Sequence, residues 1–262
     1  MESEKDGRIV TEKEEDDPEI SLKYTILDPG QYISDLVTSA KSVILAGGTM
    51  APFDDYLDSI FYQAGISREK IKVFSCSHVI DSKKQLAVYI PSRLDNKSWN
   101  FTHEVINEYT AECDRSINSK YAHYQKKGAI LFCVIGGKLS EGINFTDHLA
   151  RAVIIIGMPY PNIKSPMVVE KIDYYKKQSG SDGWTHLRAN CMRAINQAIG
   201  RSIRHINDYS AVFLIDERFT QIRTQSMLPK WVEKAIRQRN ADVIACVEDA
   251  KSFLNSFPTL ET

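Results

Sequence analysis

At 262 residues the chain is longer than an ordinary single domain of ~100–200 residues, yet short for two, which fits one domain with appendages. Its 43% hydrophobic and 26% charged residues are those of a globular chain with a sizeable core, which excludes disorder throughout. The formal net charge of −1 hides an asymmetry, because the first 20 residues hold nine acids against Lys5, Arg8 and Lys13, leaving 30 basic and 25 acidic residues beyond them, a net of +5. That excess is compatible with a nucleic-acid partner and equally with an ordinary solvated surface.

In chain order, residues 1–19 lack an apolar period and are expected to form an acidic flexible tail. Four short runs rich in Val and Ile, Ser42–Ala46, Ala129–Ile135, Ala152–Met158 and Ala211–Ile215, read as buried strands of a parallel sheet. Helical period marks Tyr32–Ala40, Pro166–Gln178, Arg188–Arg204 and Leu228–Gln238. Strands alternating with helices argue an α/β layered fold. The cysteines Cys76, Cys113, Cys133, Cys191 and Cys246 lie at least 20 positions apart. That spacing encodes no zinc or iron–sulfur site and suits a reducing compartment. There is no apolar run of membrane-spanning length and no apolar N-terminal signal, so the expectation is an intracellular chain with no membrane partner.

In α/β sheets, ligands collect at the carboxyl ends of the strands. Three of those positions are rich in glycine or proline: Gly47-Gly48-Thr49-Met50-Ala51-Pro52, Gly136-Gly137-Lys138-Leu139-Ser140-Glu141-Gly142-Ile143-Asn144-Phe145, and Met158-Pro159-Tyr160-Pro161-Asn162. Clustered glycines let backbone N–H groups approach a phosphate, and Thr, Lys and Ser add side-chain donors; paired glycines also simply make tight turns. No P-loop is complete, since Lys138 is followed by Leu139 and Phe132 stands where the leading Gly belongs. A dinucleotide fingerprint is also missing, which counts against a nucleotide-binding metabolic enzyme. A phosphate-gripping loop and a magnesium-holding acidic strand would have to come from another domain.

The sharpest element is Gln197-Ala198-Ile199-Gly200-Arg201-Ser202-Ile203-Arg204-His205. On the helix expected to run to Arg204, Gln197, Arg201 and Arg204 share one face, and two guanidiniums aimed together suit a γ-phosphate. The competing reading is a basic helix end favoured by the macrodipole.

Taken in order, the segments 47–52, 136–145, 157–162 (Gly-Met-Pro-Tyr-Pro-Asn) and 197–205 resemble the C-terminal half of the XPD-like iron–sulfur superfamily 2 DNA helicases. The Gly-Gly-Thr-Met form and Asn144 are most similar to the chromosome-loss (ChlR-type) branch. The resemblance runs from Leu27 to Trp231 and implies a RecA-like second helicase domain, with a parallel sheet between helices. It implies that residues 20–60 are the end of the first motor domain including motif III, and that 61–262 form the RecA-like C-terminal domain with motifs V and VI. By position, Thr49, Lys138 and Ser140 would contact DNA. Glu141, Gly142, Asn144 and Gly200 would face the nucleotide, and Gln197, Arg201 and Arg204 would serve catalysis. The family further implies ATP and Mg²⁺ bound jointly with the first motor domain, 5′-to-3′ movement on single-stranded or forked DNA, a nuclear location, and cohesion or replication proteins as partners. The family's iron–sulfur cluster is not encoded here.

Two departures stand out. The Walker A and B motifs are missing from this stretch, and the family's motif IV strand has no counterpart in the polar join Phe101–Lys127, so the sheet is expected to lack one strand region. The alternative to a motor domain is therefore a truncated, non-catalytic helicase-derived product that binds DNA or a partner weakly.

Overall fold

The computed structural model describes residues 7–13, 20–91, 130–137, 145, 149–179 and 183–258. The chain divides into two compact units, Met1–Cys76 with Tyr160–Arg193, and Ser77–Pro159 with Ala194–Thr262. The division falls beyond residue 60, so residues 61–76, and also 160–193, group with the first unit.

In the first unit, β1 (Gly7–Lys13) and β2 (Ile20–Ile26) form an antiparallel hairpin from Gly7↔Ile26 to Lys13↔Ile20. Gly7–Lys13 were expected within a flexible tail, and here the structure differs. The β-branched run Ile9-Val10-Thr11 pairs through its backbone while Ile9 itself stays exposed, so no buried apolar period announces the strand. An ion pair from Arg8 to Glu170 at 3.0 Å ties the strand to a distant helix. Helix α1 (Gly30–Ser39) and the short α2 (Asp54–Tyr56) follow, the latter continuing into a π-helical turn over Leu57–Phe61.

The second unit contains α3 (Ser82–Gln85), β3 (Leu86–Pro91) and β4 (Ala152–Ile156). Between β4 and the next strand run α4 (Pro166–Ser179), in the first unit, and α5 (Trp184–Ile199), which passes from the first unit into the second after Arg193. The chain then forms β5 (Ser210–Ile215), α6 (Ile222–Gln225), α7 (Lys230–Glu233), β6 (Ile236–Ala241) and α8 (Val243–Asn255). The sheet order is β4-β5-β3-β6 and every pairing is parallel, the expected α/β class. One face carries Ala87, Tyr89, Ala211 and Phe213 against Cys246, Ala250 and Phe253 of α8. Asp242 starts α8 by accepting from the amides of Ile244 and Ala245 at 2.9 and 3.2 Å, an N-cap that turns the chain out of β6.

The expected helices Tyr32–Ala40 and Pro166–Gln178 and the expected strands Ala152–Met158 and Ala211–Ile215 agree with α1, α4, β4 and β5 to within two residues at each end, but only β5 is buried as expected, since β4 exposes Ile154 and Ile156 and buries Ile155 alone. Elsewhere the structure corrects the reading. Ser42–Ala46 and the described part of Ala129–Ile135 form no ladder, and Ile44 and Ile130 are 86% and 77% exposed. An apolar β-branched run reports propensity, whereas a strand also needs a neighbour to receive its N–H and C=O groups. Fully buried β3 was missed because Pro91 closes the run in place of a glycine loop; the register with β6 shifts between Ile90 and Pro91. Leu228–Gln238, read as one helix, is helical only over Lys230–Glu233 and then becomes β6. That edge strand, Ile-Arg-Gln-Arg-Asn-Ala, is charged as edges are, and Arg237 lies over Phe253 at 4.6 Å while pairing with Asp249 at 3.5 Å.

Candidate functional site

Parallel pairing puts the carboxyl ends of β4 and β5 side by side. The amide of Gly157, directly after β4, donates to the carbonyl of Ile215 at 2.9 Å. Gly157 has φ +79, a left-handed backbone that any side chain would strain, so the turn into Met158-Pro159 depends on glycine. Gly136, at φ +83, plays the same part after the apolar run Ile130–Ile135. Beside Gly157, Asp216 binds its own near neighbour Arg218 through both oxygens, at 2.8 and 2.6 Å, and this partner holds its carboxyl below the usual range.

Helix α5 delivers the arginine motif, but not in the expected form. The α-helix stops at Ile199, residues Gly200–Ser202 form a 3₁₀ turn, and Ile203 is extended, so Arg201 and Arg204 do not sit on one α-helical face. Gly200 is a poor helix former. The decisive cause is Asp208, 0% exposed, whose Oδ2 accepts from the amides of Arg204 at 2.7 Å and His205 at 3.3 Å. Those two amides are thereby held by a side chain rather than by helical carbonyls. The other oxygen receives Arg151 Nη1 at 3.1 Å and lies 3.4 Å from His205 Nε2. Arg151 lies over the Tyr209 ring at 4.1 Å, and Gln85 Nε2 donates to the carbonyls of Ile206 and Asp208 at 2.7 and 3.0 Å. The loop beyond Arg204 is thus fixed from the end of α3, from the residue that precedes β4, and by its own buried carboxylate.

The charges of Arg201 and Arg204 still act on each other despite the altered geometry. Burial, then the neighbouring charge of Arg201, loosens the proton of Arg204, and Asp208 opposes them. Arg204 is exposed, Arg201 and Gly200 are half-buried, and Gln197 is exposed in the last turn of α5. The turn therefore concentrates positive charge where an anion can reach it. Thr49 is half-buried in a turn of the first unit, after the exposed Gly47 and Gly48. Lys138, Ser140, Glu141, Gly142 and Asn144 lie outside the described residues. Asp208 and Arg151 were not legible as site residues: Asp208 is one acid in a polar link, and its partner is 57 positions away. Among the described residues no group of three or more His, Cys, Asp or Glu is placed to hold a metal ion, and no helix is long and apolar enough to cross a membrane.

Residues 64–235 match the family described as helicase C-terminal domain. The chain belongs to that family. Similar curated proteins include an ATP-dependent DNA helicase CHL1 of Candida albicans, 35% identical, matched over 83% of this chain and 34% of its own length. The ATP-dependent DNA helicase chl-1 of Caenorhabditis elegans is 34% identical over 87% of this chain and 34% of its length. The ATP-dependent DNA helicase DDX11 of Danio rerio is 30% identical over 88% and 34%. Among solved structures, an XPD helicase aligns at a TM-score of 0.49 and 18% identity, covering 84% of this chain and 46% of that one. The chain spans about a third of the length of these curated relatives.

Proposed function

We propose that this helicase C-terminal domain is the second motor lobe of an ATP-dependent DNA helicase, supplying Arg201 and Arg204 to an ATP site that a first motor domain completes. The observation that carries the reading is the arginine turn after α5, whose backbone Asp208 holds through the amides of Arg204 and His205. Two always-charged guanidiniums at a fixed turn fit a polyphosphate better than any neutral ligand. ATP supplies the phosphoryl group. Arg201 and Arg204 would face the γ-phosphate and balance the charge that develops there, with Gln197 beside them. Mg²⁺ would be held with the first motor domain's residues, since the arginine turn offers it no ligands. Single-stranded DNA would contact Thr49, Lys138 and Ser140 chiefly through phosphate, and Glu141, Gly142, Asn144 and Gly200 would line the nucleotide side. A 5′-to-3′ direction and a nuclear location belong to the same reading, through the ChlR-type resemblance.

The test uses the chain alone and then joined to the first motor domain of a ChlR-type helicase. Alone, it is expected to show no DNA-stimulated ATP turnover; joined, it is expected to turn over ATP with single-stranded DNA as activator. Turnover by the purified chain alone, or none in the joined protein, contradicts the reading. Binding of single strands by the chain is expected to be weak, on the order of 10⁻⁴–10⁻⁶ M at physiological salt. Lys138→Ala should lower it equally for all sequences and reduce the salt slope by about one.

A further inference from the structure

Helix α5 carries His186, Asn190 and Arg193 at i, i+4 and i+7, a single stripe on its surface. One residue from outside the helix closes that stripe into a ring. Asp55, 6% exposed, meets His186 Nδ1 at 2.7 Å through Oδ1 and Arg193 Nη2 at 2.7 Å through Oδ2. Asn190 completes the circuit: its Nδ2 lies 2.9 Å from His186 Nε2, and its Oδ1 accepts from the same arginine nitrogen. With the amide donating to Nε2, the ring proton of a neutral His186 sits on Nδ1 and is donated to Asp55. Tyr175 stacks on His186 at 4.3 Å, and Arg193 lies over Tyr56 at 4.9 Å, so aromatic faces flank the ring. Burial alone would raise the Asp55 pKa, but the hydrogen bonds from His186 and Arg193, with the charge of Arg193, outweigh it and leave the carboxyl below its ordinary value.

A buried ionic cluster of this kind is no more stabilising than a well-packed apolar one of the same volume, so its distinctive property is directional. It ties His186 and Arg193, about two turns apart on one face of α5, to a single carboxylate. Asp55 lies just after the Gly47–Pro52 turn, in α2. Gln197 lies eleven residues beyond His186, which at 3.6 residues per turn returns to within about 20° of the same face of the same helix.

We propose that Asp55 is a positioning residue: by clamping His186 and Arg193 it sets the rotation of α5 about its own axis, and with it the direction in which Gln197 and the arginine turn leave the end of that same helix. The aiming role rests on the reading of Gln197, Arg201 and Arg204 as ATP-site residues; the clamp does not.

The first arm of the test is hydrogen–deuterium exchange on the 262-residue chain carrying Asp55→Asn, Arg193→Gln or both. Each single variant is expected to speed exchange about tenfold in both 53–61 and 184–199, while 86–91 and 210–215 keep wild-type protection. The double variant is expected to exceed the stronger single by no more than about twofold, as for one shared interaction. A rise confined to 53–61, or fully additive effects, overturns the clamp. Arg193→Lys, which keeps the charge and loses the fork, serves as the milder variant should the others unfold, and is expected to loosen the same two segments two- to threefold, with no change there overturning it. The second arm uses the protein joined to a first motor domain. Asp55→Asn is expected to lower kcat for ATP about tenfold at unchanged KM, with part of the loss recovered by Asp55→Glu. Wild-type kcat in Asp55→Asn overturns the positioning role, whereas failure of the underlying reading shows separately, as wild-type turnover in Arg201→Ala and Arg204→Ala.

Discussion

Asp208 in the second unit and Asp55 in the first are both buried carboxylates that bear on the stretch around α5, yet they hold it differently. Asp208 directs one oxygen to main-chain amides only a few residues away, those of Arg204 and His205, and the other to Arg151. Asp55 directs both oxygens to side chains more than 130 positions away in sequence. A grip on amides sets the shape of a loop, here one that has left its helix. A grip on side chains along a helical stripe leaves the backbone alone and sets how the helix is turned. The contrast predicts that Asp208 is the stiffer of the two, because an amide has no rotamers through which to escape.

The largest effect that would sharpen this comparison concerns the group being positioned. In the protein joined to a first motor domain, Arg201→Ala and Arg204→Ala are each expected to lower ATP turnover about 10³-fold, as for arginine fingers, with urea denaturation of the chain unchanged. Wild-type turnover would return both to the role of a solvated helix end. Next in size is Asp208→Ala, which leaves the half-buried Arg151 without its carboxylate and two amides without their acceptor. A loss of about 3–5 kcal/mol in urea denaturation is expected, as when one partner of a buried pair is removed; a loss below about 1 kcal/mol would dissolve the contrast. Asp55→Asn retains one acceptor and should cost about 2 kcal/mol, the scale of a hydrogen bond to a charged group.

Acid separates Asp55 further. Its folded pKa is depressed, so its contribution is present in full above the ordinary carboxylate value of about 3.9, and is lost as pH falls through the lower folded value. Stability measured from pH 5 down to pH 2 should fall less steeply in Asp55→Asn than in the wild type, and parallel curves would mean that the clamp contributes nothing through its charge. The smallest effect serves as the control: Asp242→Ala removes the cap of α8, far from either carboxylate in sequence. It is expected to cost about 1 kcal/mol and to leave the exchange of 184–199 untouched.

How much of this was legible in advance follows from what each residue's neighbours are. Strands β4 and β5 announce themselves as continuous β-branched runs and helices α1 and α4 by apolar residues at helical spacing, although in β4 only Ile155 is buried. β6 does not, since a charged edge strand has neither period, and it was absorbed into the helix before it. Ile44 and Ile130 show the opposite failure, in which β-branched runs carry strand propensity while the structure offers them no ladder. The arginine motif was legible as a motif and illegible as a shape.

By itself, then, the order of residues determined the family and the α/β class, and it supplied the motifs on which the proposed chemistry rests: Gln197, Arg201 and Arg204 around the end of a helix, and glycine turns such as Gly157 after strands. Those are properties of short segments, readable wherever local spacing and local conformational cost decide the outcome. Only the tertiary structure decided that the helix stops at Ile199, that Arg204 is held by its backbone to a buried Asp208, and that Asp55 closes a ring across His186, Asn190 and Arg193. A carboxylate's partner is chosen by burial, which leaves its charge no water to turn to, and that choice spans distances along the chain that no local pattern records.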